Sequence, residues 1–306
     1  MKYYDHNTIL YRDGQFVKAE EAVIDLYSQS LHYGYSVFEG IRSYSTHTGE
    51  TRIFKAGEHF ERLKNSANAL NIPYQYSTDE LINATYELLR RNQFQDAYIR
   101  PLLYAPANMS FVLNTESFLV IQAWKMAPFL GDKLLRVGVS SFQRPNPLAF
   151  KIHAKASGHY VNSILASQEA KSRGFDEALL TDSRGFVAEG PGANVFFEKK
   201  GKLFTPPPEN ILPGITRSTV MEICGELGIP FEEKSFTVEE LKEADAAFFC
   251  GTAAEVVGWH SLDDVEFSKP WEISLGKIIQ EAYKARVTEN AIKPAIAFRE
   301  YEKEMN

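Results

Sequence analysis

A single lysine, Lys155, stands in a run of very small side chains between Ala154 and Gly158, and a helical pattern begins directly after the run. Small neighbours leave space around an amine, and such space matters where something is meant to react with that amine. Tyr160 follows closely enough to bring a phenol near Lys155. The alternative interpretation is an ordinary surface lysine at a strand-to-helix junction. Lys151 is the other candidate for a reactive amine.

Two turns have the composition of phosphate-binding sites. The first, residues 212–217, places a proline, a glycine and Thr216 at the start of a helix, where unpaired N–H groups and the helix dipole attract anions. The second, residues 250–254, is a turn of small residues that contains Thr252. Each turn by itself is equally well explained as a helix cap or a tight turn. Neither matches a Walker A or GxGxxG pattern, which disfavours a nucleoside triphosphate or a dinucleotide.

Three further residues could act on charged groups. Glu189 ends an apolar strand and precedes two glycines, so its carboxylate could point into a site, although a solvated strand end is the alternative. Tyr98 and Arg100 lie two apart on a predicted strand and therefore share one face. A phenol and a guanidinium on one face can jointly hold a carboxylate. The alternative for this pair is a cross-strand salt bridge beside a packed tyrosine.

Together these residues are the parts required by a pyridoxal phosphate enzyme that acts on amino acids. The lysine forms a Schiff base with the cofactor and, once the substrate amine displaces it, moves a proton. The carboxylate keeps the pyridine nitrogen protonated, the phenol tunes the ring oxygen, and the turns anchor the phosphate. The set predicts pyridoxal 5′-phosphate as the cofactor, with no metal.

The elements that must position these residues fall into two groups. Residues 8–17 predict a hairpin, residues 58–70 a helix, Ser77-x-x-Glu80 a second capped helix, and residues 97–104 and 117–124 paired strands. Shorter strands and helices alternate after a loop that contains proline and glycine. We predict a small N-terminal α/β domain at residues 1–124, an interdomain loop at 125–133 and a larger cofactor-binding domain at 134–306. The fold class is α+β or mixed α/β, without regular βαβ alternation.

Composition narrows the partners. The 306 residues are 44% hydrophobic and 24% charged, which fits a globular protein of one large or two medium domains. The net charge of -7 disfavours nucleic acid and anionic membranes. Cys224 and Cys250 lie in apolar contexts without a CxxC pair, so we expect two buried free thiols. The first residues lack the apolar region of a signal peptide, and we expect a cytoplasmic protein.

The sequence resembles the branched-chain amino acid aminotransferases, which belong to the fourth fold type of pyridoxal phosphate enzymes. That fold pairs a small N-terminal α/β domain with a larger C-terminal pseudo-barrel domain. The matching stretches include LHYGYSVFEGIR, AYIRPL, AKASGHY and LPGITR. They follow the family's order at residues 31–42, 58–63, 97–102, 154–160, 188–196, 212–217 and 251–255. The resemblance therefore covers nearly the whole chain.

For the cofactor, the resemblance implies that Lys155 forms the Schiff base, Tyr160 binds the ring hydroxyl and Glu189 binds the pyridine nitrogen. Leu212 would lie against the ring. The resemblance implies a phosphate site of four residues: Arg62, Ile215, Thr216 and Thr252. Taken without the resemblance, Arg62 would be interpreted as a surface residue of an amphipathic helix.

For the substrate, the resemblance implies that Tyr98 and the Thr252–Ala253 turn hold the α-carboxylate. Arg100, together with Tyr33, would receive the second carboxylate of glutamate. The other predicted substrate contacts are Phe38, Gly40, Met126 and Phe129. Related enzymes often carry tryptophan and tyrosine at the last two of these positions. Residues 105–115 lack a glycine-rich pattern of some bacterial members, and Ala193 stands where an acidic residue is common, so the substrate range is open.

The predicted reaction is a reversible, ping-pong transfer of an amino group between leucine, isoleucine or valine and 2-oxoglutarate, as in branched-chain amino acid biosynthesis. The resemblance implies at least a homodimer, with residues of one subunit entering the other's site. The same fold allows a D-amino acid or R-selective amine aminotransferase or an aminodeoxychorismate lyase, but Tyr98-x-Arg100 and residues 38–42 favour the branched-chain group. Further alternatives are a non-catalytic phosphate- or metabolite-binding protein and a nucleotide-binding enzyme.

Overall fold

The structure is a computed structural model that describes residues 3–126 and 133–289. Its internal contacts divide the described chain into two units. The first contains residues 3–126 and 151–160, and the second contains residues 133–150 and 161–289. The predicted boundaries at 124 and 134 stay a prediction. The division differs from them at residues 151–160, the lysine stretch, which groups with the first unit.

The first unit is built on one antiparallel sheet. Its strands pair in the order β2-β1-β7-β6-β4-β5, and β3 pairs with β6. The elements are β1 (Ile9–Arg12), β2 (Gln15–Lys18), α1 (Gln29–Tyr33), β3 (Ser36–Phe38), β4 (Ile41–Ser45), β5 (Thr51–Ile53), α2 (Ala56–Ala69), α3 (Thr78–Asn92), β6 (Ala97–Tyr104) and β7 (Phe118–Trp124).

Several predicted elements of this unit are confirmed. The β1–β2 hairpin turns at Asp13 and Gly14, which both have positive φ. The predicted cap of α3 forms, since Ser77 Oγ accepts a hydrogen bond from the backbone N–H of Glu80 at 3.2 Å. The apolar residues of α2 and α3, among them Phe60, pack with those of the sheet in one core cluster. The sheet and α2 also position polar residues of this unit.

The second unit contains most of the remaining elements. They are β8 (Leu135–Gln143), α4 (Tyr160–Ser172, whose first residue groups with the first unit), β9 (Glu177–Thr181), β10 (Val187–Glu189), β11 (Asn194–Lys199), β12 (Lys202–Thr205), α5 (Ile215–Leu227), β13 (Phe231–Glu233), α6 (Val238–Lys242), β14 (Ala246–Gly251), β15 (Glu255–Leu262), β16 (Val265–Glu266) and α7 (Leu275–Val287). One-turn 3₁₀ helices occur at Ala19–Glu21, Ser157–His159, Pro208–Asn210 and Trp271–Ile273.

The sheet of the second unit closes on itself. Its strands pair in the order β10-β9-β8-β15-β14-β11, and β10 pairs again with β11, so that these strands form a ring. The closing pair is Glu189 opposite Asn194. Closure removes free strand edges and encloses a core that includes Phe249 and Trp259. The predicted mixed fold class with a pseudo-barrel is confirmed, and it places Glu189 at the point where the barrel closes.

Two sequence-based observations concern the whole described chain. None of the helices within residues 3–126 and 133–289 has the length and apolar composition needed to cross a bilayer. Cys224 and Cys250 are buried free thiols, as predicted. Burial raises the pKa of the Cys224 thiol to about 12, so this thiol is protonated and unreactive at neutral pH.

Candidate active site

The backbone of Lys155 is anchored on both sides within the first unit. Its N–H donates to Ser66 Oγ on α2 at 3.0 Å, and its carbonyl accepts from the N–H of Phe38 at 3.1 Å. Its amine, Nζ, donates to Tyr160 Oη at 2.8 Å. Lys151, the other candidate, is exposed. The structure therefore gives Lys155 a fixed position beside a phenol, whereas Lys151 points to solvent.

The small residues around the lysine have a backbone role that the sequence did not predict. Gly34 ends α1 with φ of 65°, and its carbonyl accepts from the N–H of Gly158 at 3.1 Å. A methyl group at Gly34 would lie 2.8 Å from the Cα of Gly158, which is closer than two carbon atoms can approach. The two segments can meet because position 34 is glycine. This contact helps to place the residues around Lys155 against β3.

Residues predicted for catalysis, for the cofactor and for the substrate lie around the ring of Phe38 in the first unit. Tyr160 packs against this ring at 4.8 Å between centroids, Lys155 Nζ lies 5.1 Å from its centroid, and the Arg100 guanidinium carbon lies 4.5 Å from it. The ring of Trp124 lies 5.8 Å from the Arg100 guanidinium carbon. The amine of Lys155 and the guanidinium of Arg100 thus share an apolar, aromatic environment.

Tyr98 and Arg100 lie together on β6, as predicted. An Arg100 N–H donates to Tyr98 Oη at 3.2 Å, whereas Arg100 Nε is buried without a hydrogen-bond partner in the described structure. A buried donor without a partner is unfavourable unless a ligand supplies an acceptor. Gly40 allows this arrangement, because a methyl group there would lie 1.9 Å from Tyr98 Oη. The pair is therefore suited to bind a carboxylate.

The side chain of Arg62 is only 14% exposed and points towards a buried carboxylate, so its interpretation as a surface residue of α2 is wrong. Its Nε and one terminal nitrogen donate to the two oxygens of Glu39 at 2.7 and 2.9 Å. His59 Nδ1 lies 2.7 Å from the same carboxylate. The helix period predicts only which face a residue shares, and the carboxylate that draws Arg62 inwards follows strand β3. The guanidinium is held in one orientation by a fully buried partner.

Electrostatics within this cluster favour charged Glu39 and neutral His59. Burial by itself raises the pKa of the Glu39 carboxyl, but the guanidinium of Arg62 and the ring of His59 lower it more, so this pKa lies well below its usual range. Burial lowers the pKa of His59, although the neighbouring carboxylate opposes this. At neutral pH the cluster therefore contains one anion and one guanidinium, with the imidazole as a neutral hydrogen-bonding partner.

Glu189 is buried in the second unit, so the alternative of a solvated strand end is wrong. One oxygen accepts from Asn194 Nδ2 at 3.0 Å, and the other accepts from the N–H of Leu212 at 3.2 Å. Asn194 Nδ2 also donates to the carbonyl of Leu212 at 3.1 Å. Arg144 Nε lies 2.9 Å from Glu189 as an ion pair. The backbone of Leu212 is thereby held beside the carboxylate.

The start of α5 has the features of an anion site. Its N-cap, Gly214, has no capping side chain, so the N–H groups of the first turn, which include Ile215 and Thr216, are available to a ligand. The side chain of Thr216 is buried. Thr252 and Ala253 form the turn between β14 and β15, as predicted. These residues are placed as a phosphate site of the second unit requires.

The remaining predicted residues are placed less clearly. Tyr33 is 47% exposed, and its ring lies 5.7 Å from that of Phe111 between centroids. Met126 accepts a hydrogen bond from Arg42 through its carbonyl at 3.1 Å. Phe129 lies outside the described residues. In the described structure, no cluster of His, Cys, Asp or Glu side chains could hold a metal ion.

Comparison with known proteins agrees with this geometry. The family described as "Amino-transferase class IV" matches residues 36–262. The branched-chain-amino-acid aminotransferase of Pseudomonas aeruginosa is 38% identical over 285 residues, covering 91% of this chain and 92% of the relative. The chain belongs to the branched-chain aminotransferases of class IV.

Solved structures support the same assignment of this aminotransferase. A crystal structure of a branched-chain aminotransferase from Thermoproteus uzoniensis with norvaline has a TM-score of 0.89 at 39% identity, covering 94% of this chain and 96% of that one. The enzyme of Thermobaculum terrenum in its pyridoxal phosphate form has a TM-score of 0.86 at 33% identity, covering 96% and 98%. The predicted family, fold class and enzyme class are confirmed, whereas the roles of individual residues stay predictions.

The sequence did not assign four residues that the structure brings into this aminotransferase's two clusters: Glu39, His59, Arg144 and Asn194. For Glu39 a signal was present, because a charged residue directly follows the apolar Val37–Phe38 pair and such a position indicates burial with a partner. Asn194 had a weaker signal in its place at the start of an apolar strand. His59 and Arg144 had no such signal in the sequence, because their partners lie far away along the chain.

Proposed function

We propose that this aminotransferase moves the amino group of leucine, isoleucine or valine to 2-oxoglutarate in two alternating half-reactions, a ping-pong cycle. The observation that carries this proposal is the half-buried guanidinium of Arg100, which lies against aromatic rings and whose Nε is buried without a hydrogen-bond partner in the described structure. Apolar walls suit a branched aliphatic side chain, and one reserved cation suits the second carboxylate of glutamate. One pocket can therefore serve both substrates. The names of the relatives support the same reaction.

Pyridoxal 5′-phosphate is the cofactor, and the residues of the chain fit it. When bound, it supplies a carbonyl group that condenses with amines and a ring that accepts the electrons released at the substrate's α-carbon. The fit rests on the amine of Lys155 beside a phenol, on the buried carboxylate of Glu189 and on the uncapped start of α5. The amine suits the cofactor's carbonyl group, the carboxylate suits its ring nitrogen, and the start of α5 suits its phosphate.

Within the first unit, Lys155 would hold the cofactor through its amine, and the free amine would carry the proton to and from the substrate's α-carbon. Tyr160 accepts the 2.8 Å hydrogen bond from the Lys155 amine and would also contribute to binding of the cofactor's ring oxygen. Arg62 would bind the phosphate through the positive charge of its guanidinium. Tyr98 binds the substrate's α-carboxylate.

Within the second unit, Glu189 keeps a proton on the ring nitrogen, and Leu212 lies against the ring. The phosphate is bound by the first-turn N–H groups of α5 at Ile215 and Thr216, with a further hydroxyl from Thr252. The Thr252–Ala253 turn also binds the α-carboxylate through its N–H groups. These roles use backbone donors that are fixed before the ligand arrives, which lowers the entropy lost on binding.

Exchange of Arg100 for glutamine tests the proposed pair of substrates. Loss of a charge-assisted hydrogen bond costs about 1.5–3 kcal/mol, so kcat/KM for glutamate should fall about 10- to 100-fold. The value for L-leucine should change less than about threefold, because its side chain has no carboxylate. The measurement is single-turnover absorbance of each half-reaction, with D-leucine as a donor that should not react.

Arg52→Gln is the matched control, because Arg52 lies on the same sheet and packs over Phe54 instead of the Phe38 ring. It should leave both half-reactions unchanged. Equal losses for glutamate and L-leucine in Arg100→Gln would refute the role of Arg100. Amino transfer from D-leucine in preference to L-leucine would favour the D-amino acid alternative.

A homodimer is also proposed. Residues 27–29 run beside residues 105–110, and this part of the first unit exposes large apolar side chains, with Phe111 at 93% and Leu113 at 73%. The ring of Tyr33, a predicted substrate residue, contacts that of Phe111 at this surface, with the two planes tilted by 52°. Contiguous apolar surface of this kind marks an interface. A second copy of the chain is the occupant that would make Tyr33 part of a substrate site.

Phe111→Asp should weaken self-association at least about 100-fold, because a carboxylate would have to be buried. Sedimentation velocity over a dilution series measures this, with Ile273→Asp in the second unit as the control. An unchanged dimer in Phe111→Asp, or a wild-type monomer, would contradict the proposal.

The buried free thiols fit a reducing compartment, and we place the enzyme in the cytoplasm, in branched-chain amino acid biosynthesis.

A further inference from the structure

Arg144 forms a buried ion pair that the reaction described above does not use. Its Nε lies 2.9 Å from an oxygen of Glu189, and the two side chains are 8% and 6% exposed. Arg144 follows β8, where its backbone N–H donates to the carbonyl of Thr181 at 2.8 Å. Its Nη1 donates to Asn162 Oδ1 at 3.3 Å. The guanidinium is therefore held at both ends, independently of any ligand.

The contribution of Arg144 differs from that of the other groups on Glu189. Asn194 and the N–H of Leu212 are neutral donors, which fix the position of the carboxylate. Arg144 adds a full positive charge, and its Nε–H is not aligned as a hydrogen-bond donor, so the contact acts through charge. A buried carboxylate without a cation tends to take up a proton. Arg144 opposes that uptake.

We propose that Arg144 is a positioning residue that keeps Glu189 ionised, so that the proton shared with the cofactor's ring nitrogen stays on the nitrogen. The inference rests on the proposed function, in which Glu189 receives that nitrogen. The positive charge of Arg144 and that of the cofactor's protonated nitrogen would then both stabilise the Glu189 carboxylate. With a neutral residue in place of Arg144, Glu189 would become the stronger base and would take that proton, which would leave the ring neutral. A neutral ring accepts electrons less well, and the proton transfer performed by Lys155 slows.

The direct test observes the ring nitrogen itself. Enzyme loaded with nitrogen-15-labelled pyridoxal 5′-phosphate is titrated with pH, and the nitrogen chemical shift reports whether the ring is protonated. The wild type should keep the protonated signal throughout. Arg144→Gln should move the signal towards that of neutral pyridine. The first half-reaction of Arg144→Gln with L-leucine should slow about tenfold. A tenfold change corresponds to a shift of about one pKa unit in the difference between the carboxylate and the ring nitrogen.

Arg144→Lys decides the question even if Arg144→Gln fails to fold or to load the cofactor. Lysine keeps the charge at moderate pH but can lose its proton, which arginine does not. The ring signal of Arg144→Lys should therefore match the wild type at moderate pH and move towards neutral pyridine as the pH rises. A signal that follows the wild type at every pH would overturn the proposal.

Two further variants separate this inference from the proposed function. Arg184→Gln is the matched control, because Arg184 pairs with the buried Asp182 at 3.0 Å in the same unit. It should leave the ring signal unchanged. Glu189→Gln should remove the protonated signal. If it does so while both Arg144 variants behave as wild type, only the role of Arg144 fails. If Glu189→Gln also keeps the signal, the proposed role of Glu189 fails.

Discussion

Exchange of Lys155 for alanine should abolish multiple turnover, with kcat lowered at least about 10³-fold. The variant loses both the bond to the cofactor and the group that moves the proton. The structure supports this expectation because the lysine backbone is held by Ser66 and Phe38, and its amine is held by Tyr160. Steady-state transfer from L-leucine to 2-oxoglutarate measures the loss.

Lys151→Ala is the control for this experiment. Lys151 lies one turn earlier and is exposed, so its removal should change kcat less than about twofold. Calorimetry of both variants establishes that they fold alike. Substantial multiple turnover in Lys155→Ala without an added amine would contradict the assignment of Lys155. Restoration of slow turnover by a small added amine would support it, because the amine would supply the missing proton carrier.

The local elements of the fold were predictable from the sequence because their causes are local. Asp13 and Gly14 adopt positive φ at a hairpin, and Ser77 caps α3, and both effects arise within a few residues. The strand pair Tyr98-x-Arg100 was predictable for the same reason. Side chains two apart share a face in any strand, whatever the rest of the chain does.

The long-range pairs were not predictable from periodicity. Arg62 occupies a helix position compatible with solvent, and only the placement of Glu39 after β3 turns it inwards. Arg144 reaches Glu189 because β8, β9 and β10 are neighbours in a closed ring. Register and ring closure depend on pairings between distant segments, which a single sequence does not encode in its local pattern. The grouping of residues 151–160, which include Lys155, with the first unit also depends on contacts between distant segments.

Exchange of Arg62 for methionine should have two separate effects, on stability and on the phosphate. Glu39 is fully buried and receives two guanidinium hydrogen bonds, so removal of Arg62 leaves a buried carboxylate without its cation, beside His59 and the backbone N–H of Gly40. Breaking a buried ion pair in this way costs about 3–5 kcal/mol. For a chain of this size the cofactor-free protein should lose about 5–15 °C of thermal midpoint in calorimetry.

The second effect is measured with two forms of the cofactor. Arg62→Met should weaken binding of pyridoxal 5′-phosphate by about 10- to 100-fold, through loss of a charge-assisted contact, and should leave pyridoxal, which lacks the phosphate, nearly unaffected. The comparison assigns the loss to the phosphate and not to general distortion. Equal weakening of both forms would show that Arg62 acts only through the fold.

The double variant Arg62→Met with Glu39→Gln separates the two effects. An amide in place of the carboxylate removes the unpaired charge, so most of the lost thermal midpoint should return, while the affinity for pyridoxal 5′-phosphate should stay low. Recovery of that affinity in the double variant would contradict the role of Arg62 at the phosphate. The expected split follows from the two proposed roles of Arg62, since its hydrogen bonds to Glu39 stabilise the fold and its positive charge attracts the phosphate. One arginine then contributes to the fold and to the cofactor site.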